Sequence, residues 1–191
     1  MPPRNLLLLA SFLFLSLPGS AQLIELGGFG SFGHFDLPPF ANDAVGVGGR
    51  LDIGLGHHIA LEGEGSYDFK HPTVQIAASG LGFNVTQFRL GVVHANGGFK
   101  LQTKGGSYFI FLKGGVLNFF PDVRTTTLVG TIQTPTPSTG TSFTEAVFYP
   151  GAGIGFHAGI LGIRVDAGDE IYWDEGTHHN LRITFGPTIR F

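Results

Sequence analysis

"NLRITFGPTIRF", Asn180 to Phe191, alternates without a break. Its odd positions read Leu181, Ile183, Phe185, Pro187, Ile189 and Phe191, and its even ones Arg182, Thr184, Gly186, Thr188 and Arg190. A period of two marks a strand with one apolar and one polar face. Half-buried strands of soluble proteins keep that pattern for roughly four to eight residues. A run of about eleven is the length of a strand tilted across a bilayer.

The same test works backwards along the chain. "ILGIRVDAGDEIYW" sets Leu161, Ile163, Val165 and Ala167 against Arg164, Asp166, Gly168 and Glu170. "VFYPGAGIGFHAG" sets Phe148, Ala152, Ile154 and Phe156 against Tyr149, glycines and His157. "SYFIFLKGGV" sets Tyr108, Ile110, Leu112 and Val116 against Lys113, with Phe109 and Phe111 sharing the lysine's face. Ile59, Leu61 and Tyr67 oppose Glu62, Glu64, Ser66 and Asp68, while Val45, Val47, Leu51 and Ile53 oppose Arg50 and Asp52. Between Phe88 and Leu101 the phase changes near Val92-Val93, which predicts a bulge there. With Leu23 to Phe35 as the first, eight strands are expected.

Composition explains why these strands should face lipid. Glycine is 31 of 191 residues, phenylalanine 19, and charged residues only 13%, about half the usual share. No run of 18 apolar residues occurs, so no helix can span a membrane. A closed barrel is the other way to satisfy every backbone group inside a bilayer. The opening "MPPRNLLLLASFLFLSLPGSAQ" has the grammar of a cleaved secretory signal peptide: Arg4, a short apolar run, a Pro18-Gly19 breaker, and small residues before Gln22. Residues 1–21 are therefore expected to be the leader and 22–191 the mature barrel domain. Cysteine is absent, and the formal net charge of −3 offers no basic patch for nucleic acid.

Connections of two lengths alternate. Short turns are expected at Leu55 to His57, Thr103 to Gly106 and Ala158-Gly159. Longer loops are expected at Asp36 to Ala44, Lys70 to Gln87, Pro121 to Glu145 and Asp174 to Asn180. Tight turns on one side and long loops on the other suit an outer-membrane barrel. The threonine-rich loop 121–145 reads as exposed and mobile, with room for a hairpin that extends the strands.

The leader, the eight strands and the closing "TIRF" resemble the small outer-membrane β-barrel proteins, the group holding the OmpA transmembrane domain and OmpX. The resemblance spans the mature chain through pattern rather than through a long motif. It implies an eight-stranded antiparallel up-and-down transmembrane β-barrel in the outer membrane of a Gram-negative-type bacterium. It also implies that Phe185, Ile189 and Phe191 form a C-terminal insertion signal read by the barrel-assembly machinery. Outer-membrane lipid surrounds such a barrel, and loop 121–145 would meet an extracellular partner.

With the faces assigned, the polar side lines a lumen. It holds Glu25, Arg50, Asp52, Glu62, Glu64, Lys100, Lys113, Arg164, Asp166, Glu170, Arg182 and Arg190. Eight strands enclose a space that side chains just fill, and buried ions must be paired. A structural charge network plugging the interior is therefore expected, with a narrow path for small solutes or ions as the alternative. Glu62 and Glu64 face the same way, as any alternating polar pair does, and no catalytic residue is assigned. His57-His58 and His178-His179 point opposite ways on extended chain, which suits no metal. A lipid-modifying outer-membrane enzyme remains an alternative, although the His-x-Ser pair of lipid A deacylases is missing. A secreted lipocalin-like ligand binder is the soluble rival; it would need apolar residues inside and charges outside. No cofactor is implied.

Trp173, Tyr67, Phe69, Phe119, Phe120, Phe148 and Tyr149 are expected in the outer aromatic girdle, and Phe99, Tyr108, Phe156 and Phe191 in the inner one. "GGFGSFG", Gly27 to Gly33, fits the dinucleotide fingerprint at Gly28, Gly30 and Gly33. Pro38-Pro39 forbids the helix that a nucleotide loop needs. The glycines read as barrel wall, relieving crowding beside phenylalanines that cover the bare backbone.

Overall fold

The computed structural model describes residues 24–35, 43–79, 82–129, 132–174 and 176–191. The expected leader, and residues 36–42 of the first long connection, lie outside the described residues. Nine strands are described: β1 (Ile24–His34), β2 (Asp43–Gly54), β3 (Ile59–Ser79), β4 (Gly82–Gln102), β5 (Tyr108–Val129), β6 (Ile132–Thr139), β7 (Phe143–Ala158), β8 (Leu161–Trp173) and β9 (Thr177–Arg190). All except β6 join in an antiparallel ring, β1-β2-β3-β4-β5-β7-β8-β9, and β9 returns to β1. The seam is closed by Phe191 N–H donating to Ile24 O at 2.8 Å and Ile24 N–H to Phe191 O at 3.3 Å. The chain is an eight-stranded antiparallel β-barrel.

The alternation read from β9 holds around the ring, but inverted relative to a soluble protein. Outward residues such as Leu26, Leu51, Ile110, Ile163, Ile183 and Phe185 are 38–59% exposed. Inward ones such as Arg164, Asp166, Glu170 and Arg182 are 0–2% exposed. That polarity excludes the lipocalin arrangement, whose charges would face out. Gly28 and Gly30 lie within β1, paired with Gly49 and Val47, so the fingerprint belongs to a strand.

Two of the expected long connections are β-structure. β3 runs on to Ser79 and β4 begins at Gly82, where a loop from Lys70 to Gln87 was expected. β5 continues to Val129 and pairs with β6, so the 121–145 connection forms the strand-extending hairpin for which its sequence left room. The pairing of β2 with β3 stops at Asp68, and that of β7 with β5 at Phe119. Beyond those levels β3, β4, β5 and β6 pair only with one another, as a four-stranded panel. At about 3.3 Å per residue its strands run on for roughly 35 Å beyond the ring. Threonine and valine favour such strands. The sequence masked them because neither face of the panel is consistently apolar.

The bulge also sits elsewhere. Asp68 pairs with Val92 and His71 with Leu90, so Phe69 and Lys70 oppose Gly91 alone. The extra residue is therefore on β3, and β4 keeps one phase from Leu90 through Lys100. Val92 faces inward because the lumen itself turns apolar at its level.

Glycine matters where strands press on a ring. A Cβ on Gly48 would lie 2.5 Å from Phe29 Cζ and 2.6 Å from Gly65 O and Ser66 Cβ. At Gly63 it would meet nothing within 4 Å. Gly48→Ala should therefore cost about 1–3 kcal/mol through overpacking. Gly63→Ala should change stability by no more than about 0.5 kcal/mol. Urea midpoints of the two variants in one detergent check this.

Candidate functional site in the barrel lumen

The inward positions of all eight ring strands converge on one interior. Arg164, from β8, is its hub. Its Nη1 donates to Asp52 Oδ2 at 2.9 Å, its Nη2 to Glu62 Oε2 at 2.8 Å, and its Nε to Asp166 Oδ1 at 2.7 Å. Asp166 also takes Arg50, whose Nη2 donates to Thr184 Oγ1 at 2.7 Å. Lys113 lies 2.5 Å from Glu62 and 2.6 Å from Glu64. Arg182 bridges Glu64 at 2.8 Å and Glu170 at 3.1 Å, and its Nη2 reaches Ser66 Oγ at 2.6 Å. Below this group Lys100 is paired with Asp52. At the end with the short turns, Arg190 donates to Glu25 at 2.7 Å, and His157 lies 3.3 Å from the same carboxylate.

His94 and Asp68 join this interior although neither was among the expected lumen charges. His94 Nδ1 is 3.0 Å from Glu170 Oε1, and its Nε2 is 2.9 Å from Asp68 Oδ2. Ser31 Oγ donates to the other Asp68 oxygen at 2.7 Å. A carboxylate only accepts, so both ring nitrogens donate and the ring is an imidazolium. Lys100, Asp52, Arg164, Glu62, Lys113, Glu64, Arg182, Glu170, His94 and Asp68 thus form one chain of alternating sign. The signal for His94 was its register: it shares the even phase of β4 with Asn96 and Lys100. A phase change placed at Val92-Val93 concealed it.

Aromatic rings complete the cations' surroundings. Arg164 lies 4.2 Å over Phe109, Lys113 4.2 Å over Phe111, and Arg50 4.4 Å over Phe29. Ring faces attract desolvated cations at about 2 kcal/mol. This is why Phe109 and Phe111 share the face of Lys113.

At the end opposite the short turns the interior turns apolar. Phe35, Ala44, Leu90, Val92, Leu117, Phe119, Val147 and Tyr172 pack as one buried cluster. Phe119 stacks on Phe143 at 4.7 Å and meets Tyr172 at 5.6 Å. Phe119 and Tyr149 were expected in the outer girdle; both are buried inside, at 0% and 1% exposure. Neighbouring residues on a strand face opposite ways, so Phe119-Phe120 and Phe148-Tyr149 can each send only one ring outward. Tyr67, Phe69, Phe120, Phe148 and Trp173 do face out, as do Phe99, Tyr108, Phe156 and Phe191 at the other end.

Chemically, the described interior holds its ions in place through paired contacts. Glu62 is tied to three cations and Glu64 to two, which suits cohesion rather than proton transfer to a substrate. Arg50, Asp52, Glu62, Glu64, Lys113, Arg164, Asp166, Glu170 and Arg182 are all at most 7% exposed. The apolar cluster also removes the polar lining that a hydrated path needs. Planar-bilayer recordings should therefore show no resolved conductance steps at moderate voltage. Steps from most insertions would revive the pore reading. On β9, Phe185, Ile189 and Phe191 lie on the outward face, 41–67% exposed.

No protein-family model matches the chain, and no curated protein matches its sequence. Its structure is similar to that of Ail, the attachment invasion locus protein of Yersinia pestis, in complex with the heparin analogue sucrose octasulfate. The TM-score is 0.55 at 10% identity, over 89% of this chain and 97% of Ail. A second Ail structure gives 0.50 at 12% identity, with the same shares. The N-terminal β-barrel domain of Pseudomonas aeruginosa OprF gives 0.48 at 13%, over 89% of this chain and 98% of the domain. At such identities the likeness is one of fold.

Proposed function

We propose that this chain, which has the eight-stranded fold of small outer-membrane barrels, is a non-enzymatic outer-membrane protein that meets an extracellular partner through its panel. The observation that carries this reading is the panel itself, joined to a ring whose described interior is filled by paired charges and an apolar cluster. A lipid-facing wall explains the exposed apolar band, since a soluble protein rarely exposes contiguous apolar patches beyond a few hundred Å². The charge network then serves as a rigid plug that holds the ring round and supports the panel.

Two features of the panel favour contact with protein. Val74, Ile76 and Phe83 share one of its faces, by the pairs Ile76↔Val85 and Ala78↔Phe83, and are 51–70% exposed. Its two edges also differ. Pro135 and Pro137 lie on β6 and lack the N–H that an added strand would use. Thr73 to Ala78 of β3 carry no proline and no charge. An extended segment pairs with an edge of that kind by strand addition. Phe185, Ile189 and Phe191 act earlier, as the outward-facing signal that the assembly machinery reads, and the leader at 1–21 directs export.

The test is a peptide tag inserted between Val129 and Ile132, the pair that ends the described β5–β6 pairing. On intact cells an antibody should reach it without permeabilisation. A tag detected only after the outer membrane is opened would overturn the topology and the partner reading with it.

A further inference from the structure

The outer wall of the ring is not evenly ridged. A groove of about 900 Å³ runs along it at the end with the short turns. Ala152 of β7 and Ala167 of β8 are direct partners and form part of its lining, with Tyr108 and Ile110 of β5 also along it. At its lower end the lining turns polar, with His58 and Lys104 from two neighbouring turns. His58 donates from Nδ1 to Gln102 O at 3.1 Å, which leaves its Nε2 for a second partner. The only carboxylate along the groove is Asp166, held inside the lumen by Arg50 and Arg164. The groove is thus apolar along its length, with a cation at its lower end.

We propose that this groove binds one anionic phospholipid of the periplasmic leaflet, with an acyl chain along Ala152 and Ala167, the phosphate against Lys104 and a headgroup hydroxyl donating to His58 Nε2. The proposal rests on the membrane reading above, which places this end at the periplasmic interface. Charge and position select the occupant. A phospholipid there brings a tail upward into the hydrocarbon and a phosphate level with Lys104. A second copy of the barrel related by a two-fold axis would set groove against groove, leaving neither filled, and Lys104 against Lys104. A Lys near an anionic headgroup contributes attraction that, when lost, weakens binding about fivefold.

The experiment is native mass spectrometry of the folded protein, released from detergent micelles supplemented with phosphatidylglycerol. Wild type should retain one phosphatidylglycerol per barrel and should not retain phosphatidylcholine. Lys104→Ala should lower retention about fivefold. Ala152→Leu, which fills part of the groove with Lys104 still present, should lower it as well. Equal retention by wild type and both variants would overturn the site. So would a lipid-free dimer that Ala152→Leu abolishes, because the groove would then be a contact between copies. Heat-modifiable migration of each protein reports separately on the barrel; its loss in wild type would strike the membrane reading instead.

Discussion

Arg164→Met should lower the stability of the barrel by about 3–5 kcal/mol, the cost of leaving buried partners without their counter-ion. The side chain is 2% exposed and touches Asp52, Glu62 and Asp166, so its loss takes one counter-ion from three carboxylates at once. Lys113 and Lys100 can shield Glu62 and Asp52 in part, while Asp166 keeps Arg50. Adding Glu62→Gln to Arg164→Met should restore part of the loss, because the second change removes the buried negative charge that the first left in excess. Urea titration of the folded protein in lipid vesicles reads both effects. A drop below about 1 kcal/mol, the range of exposed pairs, would show that water reaches the interior and that the charges do not plug it.

Ile183→Arg should cost about 2–4 kcal/mol of folding into vesicles. Ile183 lies outward on β9, paired with Phe32 and Ala167, well away from both aromatic bands. Ile76→Arg makes the same chemical change at a more exposed site, 70% against 38%. Ile76 stands on the panel above the lipid, so the change should stay within about 0.5 kcal/mol. Similar costs at the two sites would remove the membrane from the account. Thr184→Arg points into the lumen instead and should be costly as well: Thr184 is 1% exposed and its hydroxyl sits between Arg50 and Asp166. Polar lining does not mean room.

Those contrasts show what a linear pattern carries. Alternation in β9 fixes both the element and its faces, because a strand has only two sides. It also points to the fold class, since the apolar side lacks any other element to pack on. It cannot give the partners. Arg164 and Glu62 are 102 positions apart and meet only through the stagger of strands around the ring. Alternation fails altogether in the panel, where both faces meet water and threonine serves either. It misleads at Val92, where an apolar residue on a polar face reads as a slipped phase. His94 was lost with it, although an imidazole between two carboxylates is the link joining Glu170 to Asp68.

The seam between β1 and β9 sets Ile24 and Phe191 one hydrogen bond apart, although they stand at opposite ends of the folded chain. As a pattern of strand pairs, the ring has no starting point. A short linker from Phe191 to Ile24, with new ends opened between Ser79 and Gly82, would keep every pair and every ion contact. Such a circular permutant would place Phe191 inside a turn. It separates what makes the barrel stable from the delivery signal proposed for Phe191: on that proposal the same ring refolds in detergent while the cell no longer finds its address.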